Sequence, residues 1–525
     1  MVASSIAIAA RENQPRKWAT VASPLFCAAL VGILNLSATL NLWNNDFPLG
    51  YHADEPKKVF FVQSGQQDFH HPLLLLGLIR AANRLLGVSS DHQIVVLGRT
   101  VVGLLGTCGV ALSYCLARPT LAPTWALLVA LAMAVSPIWV IHANYLKEDV
   151  LLTSTLLLCL LCFLRLTETQ SLPWSLAFGI ALGLAGSSHY KALVLVPVAC
   201  CAPLLYKVEH LRRFYACLGL SLLISGCLFL FINWPLLGNP SNFVRGMRHS
   251  ASIVFDGFEV SFGPWPFFFC FHATYSLIPG LGFGVVAVAL VWIGYAAACW
   301  RRLVAADRLL LVYAVVFYLV VEISPLKPAP DYARYVLPIV PVVLYFSVKG
   351  AELLCRQLPG IGKMVAIPLF GALLIGLPVW DTIRLGYYLN RDTRKLAAEQ
   401  IDRLEGTAVI EQYAGLHPNV WSAGELTVEE LRRRGTAYLV VSSFMYDRYF
   451  LGSRLANQPP SVYQRHQQYE RLFSLPYTEI RPGFKSFAFS NPVIRIIDIR
   501  EPAPRASGPE RESSEFGTRL PGNRD

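Results

Sequence analysis

Long apolar blocks, separated by short polar connections, dominate the first 380 residues of the chain. Their lengths approach the ~20 residues that a helix needs to cross about 30 Å of hydrocarbon. The blocks are approximately Trp18–Leu42, Ile94–Leu116, Leu121–Ala143, Val150–Leu166, Trp174–Ser187, Ala192–Tyr206, Phe214–Trp234, Tyr275–Trp300, Leu309–Ile323, Tyr335–Val348 and Met364–Trp380. This pattern predicts a polytopic α-helical membrane protein with about eleven spans.

Basic residues mark alternate connections between these blocks. They include Arg118, Arg165, Arg212, Arg301 and Lys349. Because Lys and Arg concentrate in cytoplasmic loops, the N-terminus is predicted to be cytoplasmic, in an inner or plasma membrane. The outward connections are then residues 43–93, 144–149, 188–191, 235–274 and 324–334. Residues 43–93 are called the first loop below.

The chain changes character at Asp381, where charged and polar residues replace the apolar blocks. Residues Thr393–Glu405 have helical spacing, and Ala437–Val441 and Val493–Ile499 have the composition of strands. We therefore expect a transmembrane domain over residues 1–380 and a small extracytoplasmic α/β domain over 381–500. Residues 501–525 are rich in Pro, Gly, Ser and charge, and are predicted to be a disordered tail.

The composition agrees with an integral membrane protein, since 54% of the 525 residues are hydrophobic and only 15% are charged. The net charge of +11 is spread over the ends of the apolar blocks, so no nucleic-acid surface is predicted. None of the 12 Cys residues lies in the C-terminal part, which argues against a disulfide framework. Cys159 and Cys162 form a CxxC inside a predicted span, where small apolar packing is the simpler interpretation.

The first loop contains YHADEPKKVFFV and, further on, HHPL before an amphipathic segment, Pro72–Leu86. Asp54 precedes Glu55 and Pro56, a pattern that fits either a helix cap or a carboxylate acting as a general base. Lys57 and Lys58 fit either interfacial anchoring or contact with a lipid phosphate. His70 and His71 are a weak metal signal.

All the remaining outward connections also bring charged or polar groups to the outer ends of spans. They are Lys147, Glu148 and Asp149, then Lys191, then Arg245 and Arg248, and finally Lys327, Arg334 and Tyr335. A lipid-phosphate leaving group needs cations to stabilise its charge, and a hydroxyl acceptor needs a base to take its proton. The set as a whole suits transfer chemistry at the outer leaflet.

Six segments together make the chain resemble the GT-C superfamily of membrane glycosyltransferases, in the group of protein O-mannosyltransferases and lipid A aminoarabinose transferases. In chain order they read YHADEPKK, HHPL, LKEDVLLT, HYKALVLVP, RYVLPIVP and DTRKLAAEQI. The resemblance covers nearly the whole chain. The aminoarabinose enzymes carry Lys-Pro-Pro in the first loop where this chain reads His71-Pro72-Leu73, which is a departure from that pattern.

The resemblance implies an inverting hexosyl- or pentosyltransferase that moves a sugar from a polyprenyl-phosphate donor to a lipid, glycan or protein hydroxyl. It implies Asp54 as the base, with Glu55 beside it. The donor-phosphate candidates are Lys57, Lys58, His71, Lys191, Arg245, Arg248, Lys327 and Arg334. Lys147, Asp149 and Tyr335 are candidates for the acceptor or cavity lining. A divalent metal is left open as a cofactor.

Two other functions compete with this one. A transporter or flippase of lipid-linked sugars would place its polar residues and broken helices near the bilayer midplane, whereas these charges lie at the ends of spans. A non-catalytic membrane scaffold would tolerate the loss of both Asp54 and Asp149.

Overall fold

The computed structural model describes residues 24–205, 208–256, 270–324, 330–450, 458–484 and 487–500. The start of the first predicted span, Lys327 and the predicted tail lie outside these residues. The α-helices before residue 390 are Pro24–Leu42, Asp54–Ser64, Leu74–Leu86, Asp91–Ala117, Pro123–Ala134, Pro137–Ala143, Asp149–Thr169, Leu172–Ser188, Leu195–Cys200, Leu211–Ile232, Pro235–Gly238, Pro240–Asp256, Ile278–Leu281, Phe283–Ala298, Ala305–Ile323, Val340–Gln357, Gly360–Gly371 and Leu377–Leu389.

Shorter helical turns connect or extend several of these helices. The 3-10 turns are Tyr190–Val194, Ala202–Leu204, Trp300–Arg302 and Pro330–Ile339, and the π turns are Ala273–Leu277 and Ala372–Gly376. The apolar blocks thus fold as helices, as predicted, because a segment in hydrocarbon must satisfy its backbone groups internally.

Among the described residues, six helices are long and apolar enough to cross a membrane, and the number rises to eight if two bent pairs each count as one span. One pair, Pro123–Ala134 and Pro137–Ala143, bends by 54° before Pro137, which has no N–H for the helix ladder. The other pair, Ala273–Leu281 and Phe283–Ala298, bends by 112° at Gly282 (φ +92°), a conformation that favours glycine. The chain is therefore a multi-pass helical protein, and the count of eleven stays a prediction.

The first loop differs from expectation at its helix ends. The helix Asp54–Ser64 begins after Ala53, whose backbone is itself near-helical, and no side chain caps it. The interpretation of Asp54 as a cap was therefore wrong, and its carboxylate points elsewhere. The amphipathic helix begins at Leu74 rather than Pro72, and the N–H of Leu73, just before it, donates to the side chain of Asn233 at 2.8 Å.

A four-stranded mixed sheet lies in the C-terminal region, residues 390–500. Its strands are β1 Thr407–Ile410, β2 Thr436–Ser442, β3 Tyr477–Ile480 and β4 Ile494–Asp498, in the order β1-β2-β4-β3. β1 runs parallel to β2, and the other two pairings are antiparallel. The predicted strand Ala437–Val441 lies within β2, and Val493–Ile499 encloses β4.

Helices cover both faces of this sheet. Alternate residues of the buried strand β2 point to opposite faces, so Leu439 packs in a cluster with Tyr469 while Val440 packs with Ala397. The helices of the C-terminal region are Thr393–Ile401, Val428–Arg433, Ser443–Tyr446 and Pro460–Phe473, with 3-10 turns Ala423–Glu425 and Asp447–Tyr449.

Candidate active site

One end of the helical bundle gathers most of the charged residues that the sequence singled out. The helix of the first loop meets a tight turn, residues 144–148, that is held by a hydrogen bond from Lys147 N–H to the carbonyl of Tyr145 at 2.8 Å. The turn leads directly into the helix Asp149–Thr169. These two segments therefore share one site, in which Asp54 meets Lys147 across 93 positions of the sequence.

Asp54 and Lys147 form the ion pair at the centre of this site. The Lys147 ammonium group donates to Asp54 Oδ2, and it lies 3.2 Å from His71 Nε2. The Lys147 side chain is only 6% exposed, whereas the Asp54 carboxylate keeps 39% of its exposure. Asp54 therefore remains accessible to a substrate while a buried cation holds it in place.

Lys58 lies on the buried face of the same helix and donates to Glu148 Oε1. Glu148 is 1% exposed, and its second oxygen lies 3.9 Å from Lys147 Nζ. Lys57, one residue earlier, points the other way: it is 56% exposed and pairs with Asp68. The two adjacent lysines, interpreted alike from the sequence, thus have different surroundings.

Glu55, the next residue in the chain, is fully buried. It accepts two hydrogen bonds from Arg99, at 2.9 and 2.6 Å, and neither side chain is exposed. Its Oε1 also accepts the N–H of Leu146 at 3.1 Å. Because Arg99 also donates to the carbonyl of Asn45 at 2.9 Å, this pair joins the first loop, the turn and the span Asp91–Ala117.

A second group of charges lies at the start of the helix Asp149–Thr169. Asp149 Oδ1 is 3.9 Å from Lys191 Nζ, and its Oδ2 is 3.8 Å from Arg334 Nε. Lys191 Nζ lies 3.6 Å from the ring centre of Tyr335. That ammonium group is buried and donates no hydrogen bond within the described part of the chain.

Burial and neighbouring charges together set the protonation of the site. Burial opposes ionisation of Asp54, but Lys147, with His52 and Arg334, holds the pKa of the carboxyl well below its usual range. Burial lowers the pKa of His71 well below its usual value, so the ring is neutral at pH 7. Burial also lowers the pKa of Lys191 to about 7, with Asp149 opposing that shift.

Arg245 and Arg248 are exposed on the helix Pro240–Asp256, which packs on the first loop through other residues. Asn242 donates to the carbonyl of Gln67 at 3.2 Å, and Ser250 donates to that of His70 at 2.7 Å. A Cβ at Gly246 would lie 2.6 Å from the backbone of Phe69, so the two segments are in close contact.

Three residues of the site were missed or undervalued in the sequence interpretation. His52 is 3% exposed and accepts the backbone N–H of Asp54 on Nδ1 at 3.1 Å. Arg99 could have been recognised as a single charge near the start of an apolar block, and Glu148 as the middle of three consecutive charges. His52 carried no signal beyond its place in YHADEPKK.

The fold of this helical bundle with its appended mixed sheet is similar to that of solved oligosaccharyltransferase structures. The fold is similar to archaeal oligosaccharyltransferase AglB from Archaeoglobus fulgidus in complex with an inhibitory peptide and a dolichol-phosphate, with a TM-score of 0.54 at 10% identity, covering 80% of this chain and 69% of that chain. The apo form of the Archaeoglobus fulgidus oligosaccharyltransferase gives 0.53 at 12% identity, covering 90% and 75%.

The family comparison is more specific over part of the chain. Residues 70–234 match the family described as dolichyl-phosphate-mannose-protein mannosyltransferase. ArnT from Cupriavidus metallidurans, bound to undecaprenyl phosphate, is a weaker structural match, with a TM-score of 0.48 at 14% identity over 91% of this chain and 99% of that chain. No curated protein sequence matches this chain. The resemblance to the GT-C superfamily that the motifs indicated is confirmed.

A resident metal does not fit the centre of this site. One structure of the Archaeoglobus fulgidus oligosaccharyltransferase is a complex with Zn and sulfate. Here Asp54, Glu148 and His71 carry suitable donor atoms, but the Lys147 ammonium group lies among them. No group of three or more His, Cys, Asp or Glu side chains in the described ranges could hold a metal ion.

Proposed function

We propose that the chain is an inverting glycosyltransferase that moves a sugar from a polyprenyl-phosphate donor to a hydroxyl acceptor at the outer face of the membrane. The observation that carries this proposal is the accessible Asp54 carboxylate, which the buried Lys147 ammonium group holds ionised. The family match over residues 70–234 and the oligosaccharyltransferase fold support transfer of a lipid-linked sugar.

In the proposed reaction the acceptor oxygen attacks the anomeric carbon while its proton passes to Asp54. The bond between that carbon and the phosphate oxygen breaks, and the lipid phosphate leaves with the electron pair. An ionised carboxylate is required before the attack, and Lys147 supplies that condition because it stabilises the charged form. Glu55 has no such role in this proposal, because both of its oxygens are occupied by Arg99.

The leaving phosphate is assigned to the space beside Lys191, Arg334 and Tyr335. Asp149 lies 3.9 Å from the Lys191 ammonium group, which is beyond hydrogen-bond distance, so a phosphate oxygen could form a charge-assisted bond with this buried cation. Lys58 acts one step further away, because it neutralises Glu148 and so keeps a second carboxylate from repelling the phosphate. Lys57, Arg245 and Arg248 are exposed, and they are proposed as contacts for the outer part of the donor.

The acceptor class is proposed from the similar proteins. The neighbour AglB was captured with a peptide, and the matched family is named for protein mannosylation. We propose a protein, glycan or lipid hydroxyl that reaches Asp54 past Lys147 and Asp149, and either a hexose or a pentose as the sugar. The charges gather at one end of the bundle, which favours a transferase over a transporter with a midplane site.

The test is sugar transfer by purified protein from a polyprenyl-phosphate donor. Asp54→Asn keeps the shape of the side chain, and we expect it to lower the rate by about a hundredfold to ten-thousandfold because the base is lost. Binding of undecaprenyl phosphate should change little. Asp91→Asn, which alters an exposed carboxylate at the other end of the first loop, is the matched control. Normal turnover by Asp54→Asn would contradict the proposal.

A further inference from the structure

The C-terminal region contributes an aromatic side chain to the site. Phe489 is 1% exposed, and its ring lies 4.0 Å from the ring of His52 and 5.9 Å from that of Tyr145, measured between centroids. The Arg334 guanidinium lies 5.5 Å from the same ring. Phe489 therefore lies against both His52, next to the proposed base, and Arg334, in the second group of charges. It is 435 residues from Asp54 in sequence.

A buried ion pair fixes residues 488–491, the segment that carries Phe489. Asp392 and Arg394 are both unexposed, and Arg394 Nε donates to Asp392 Oδ1 at 2.7 Å. Arg394 also donates to the carbonyl of Phe489 at 2.6 Å and to that of Tyr51 at 2.9 Å. Asp392 accepts the N–H of Asn491 at 2.6 Å. One pair thus ties the segment to the first loop at the residue before His52.

The backbone of the segment is held in an unusual form. Ala488 and Asn491 have φ of +54° and +50°, in the left-handed region that non-glycine residues seldom adopt. Such conformations persist where surrounding contacts enforce them, and they are common at functional sites. Here the two residues flank the turn that directs the Phe489 ring towards His52.

His52 links this ring to the proposed base. Its Nδ1 accepts the N–H of Asp54, and its ring is nearly unexposed. Since the peptide N–H and the side chain of Asp54 belong to one residue at the first turn of the helix, we expect loss of this hydrogen bond to loosen the backbone that carries the carboxylate. Phe489 covers that ring on the side of the C-terminal region.

We propose that Phe489 is a positioning residue of the transferase, which holds His52, and through it Asp54, in place. The inference rests on the proposed function and deepens it, because it makes the C-terminal region part of the site. Misplacement of a reacting group by about 1 Å can cost a hundredfold in rate. The expected effect of losing the ring is therefore a fall in kcat of about tenfold to a hundredfold.

The kinetic test compares Phe489→Leu, which stays apolar but loses the ring, with Phe489→Tyr, which keeps the ring. We expect kcat to fall in Phe489→Leu with little change in KM for the donor, and to recover in Phe489→Tyr. Phe473→Leu is the matched control, because Phe473 packs inside the C-terminal region against Tyr446. If Phe489→Leu does not accumulate, Phe489→Met provides the same loss of the ring.

A second measurement does not depend on turnover. Diethyl pyrocarbonate should leave His52 unmodified in the parent protein and modify it in Phe489→Ala, with the exposed His417 as an internal standard in peptide mass spectra. Normal kcat and an unreactive His52 in the ring-less variants would overturn the positioning role alone. Absence of transfer by the parent protein would overturn both this inference and the proposed function.

Discussion

Neighbouring acids in the first loop have opposite roles at the scale of single residues. The Asp54 carboxylate is partly exposed and forms an ion pair with Lys147, whereas the Glu55 carboxylate is fully buried in its ion pair with Arg99. Removing one partner of a buried ion pair typically costs about 3–5 kcal/mol, because the other charge is left uncompensated. We expect Glu55→Gln to lower the thermal unfolding midpoint clearly, as measured in detergent, and Asp54→Asn to lower it less, because Lys147 still has the Glu148 carboxylate 3.9 Å away.

Glu168→Gln is the control for that comparison, because it breaks a surface pair between Arg165 and a 43% exposed carboxylate. Such pairs contribute about 0–1 kcal/mol. Equal stability of Glu55→Gln and Glu168→Gln would show that the Arg99 pair is not what holds the first loop.

The low pKa of Lys191 gives a prediction for pH dependence. Its pKa of about 7 in the free protein means that the ammonium form dominates below pH 7 and is lost as the pH rises through 7. A phosphate binds the charged form, so donor affinity should fall by up to about tenfold per pH unit above 7. Lys191→Arg keeps the charge and should make affinity for undecaprenyl phosphate nearly independent of pH between 6 and 9. A parent protein whose affinity is constant over that range would contradict this.

The sequence contains part of the information that separates these residues. Glu55, Lys58, Val59 and Val62 are the buried positions of their helix, and they follow the i, i+3, i+4, i+7 spacing of one helical face. That spacing could have told Lys58 from Lys57. The partners could not be predicted, because Arg99, Glu148 and Phe489 reach the site from distant elements, and a single sequence does not specify tertiary pairing.

At the scale of elements, the first loop lies so close to the helix Pro240–Asp256 that there is no room for a side chain at Gly246. Replacing Gly246 by Ala would place a Cβ 2.6 Å from the backbone of Phe69, and a backbone cannot move aside as a side chain can. We expect Gly246→Ala to push the helix away from the first loop and to raise KM for the donor severalfold.

The control for this prediction is Gly219→Ala, since Gly219 has open space around its Cβ position within the helix Leu211–Ile232. Both changes favour helix formation equally, so a difference between them reports the contact. Identical kinetics of the two variants would show that the contact does not bear on donor binding.

The length of the apolar blocks in the sequence predicted most of the helices but not the breaks within them. The block Leu121–Ala143 was expected as one span and is two helices that meet at Ser136 and Pro137. The proline was visible in the sequence, but proline also occurs within unbroken membrane helices, where neighbouring groups satisfy the freed carbonyls. Whether a helix bends there depends on packing, which the apolar pattern does not encode.

At the scale of the whole molecule, the path of the chain bears on the number of spans. The helices Leu172–Ser188 and Leu211–Ile232 run in the same direction, because Ser221 bonds Ser175 near one end and Asn233 bonds Ser187 at the other. We therefore expect residues 192–204 to cross back between them. The helix Ala305–Ile323 runs antiparallel to Val340–Gln357, because Asp307 pairs with Lys349 and Tyr313 bonds Pro338.

From this path we expect three further crossings: Leu172–Ser188, residues 192–204 and Ala305–Ile323. Each is too short or too charged to be recognised by length and composition alone. Added to the eight candidates among the described residues, they would give eleven spans, a number that stays a prediction. An odd number of spans places the C-terminal region and the site on one face and the N-terminal end on the other, whereas six or eight spans would place both ends on the same face.

Cysteine labelling distinguishes these topologies. Ser461→Cys lies on an exposed position of the C-terminal region, and Thr169→Cys lies on an exposed position beside Arg165, in a connection predicted to be cytoplasmic. We expect a membrane-impermeant maleimide to modify the first variant in intact spheroplasts and the second only after lysis. Peptide mass spectrometry must report the modified site, because the chain has 12 cysteines of its own. Modification of Ser461→Cys only after lysis would contradict the outward placement of the site, since Arg394 bonds the C-terminal region to the first loop and the two must share one face.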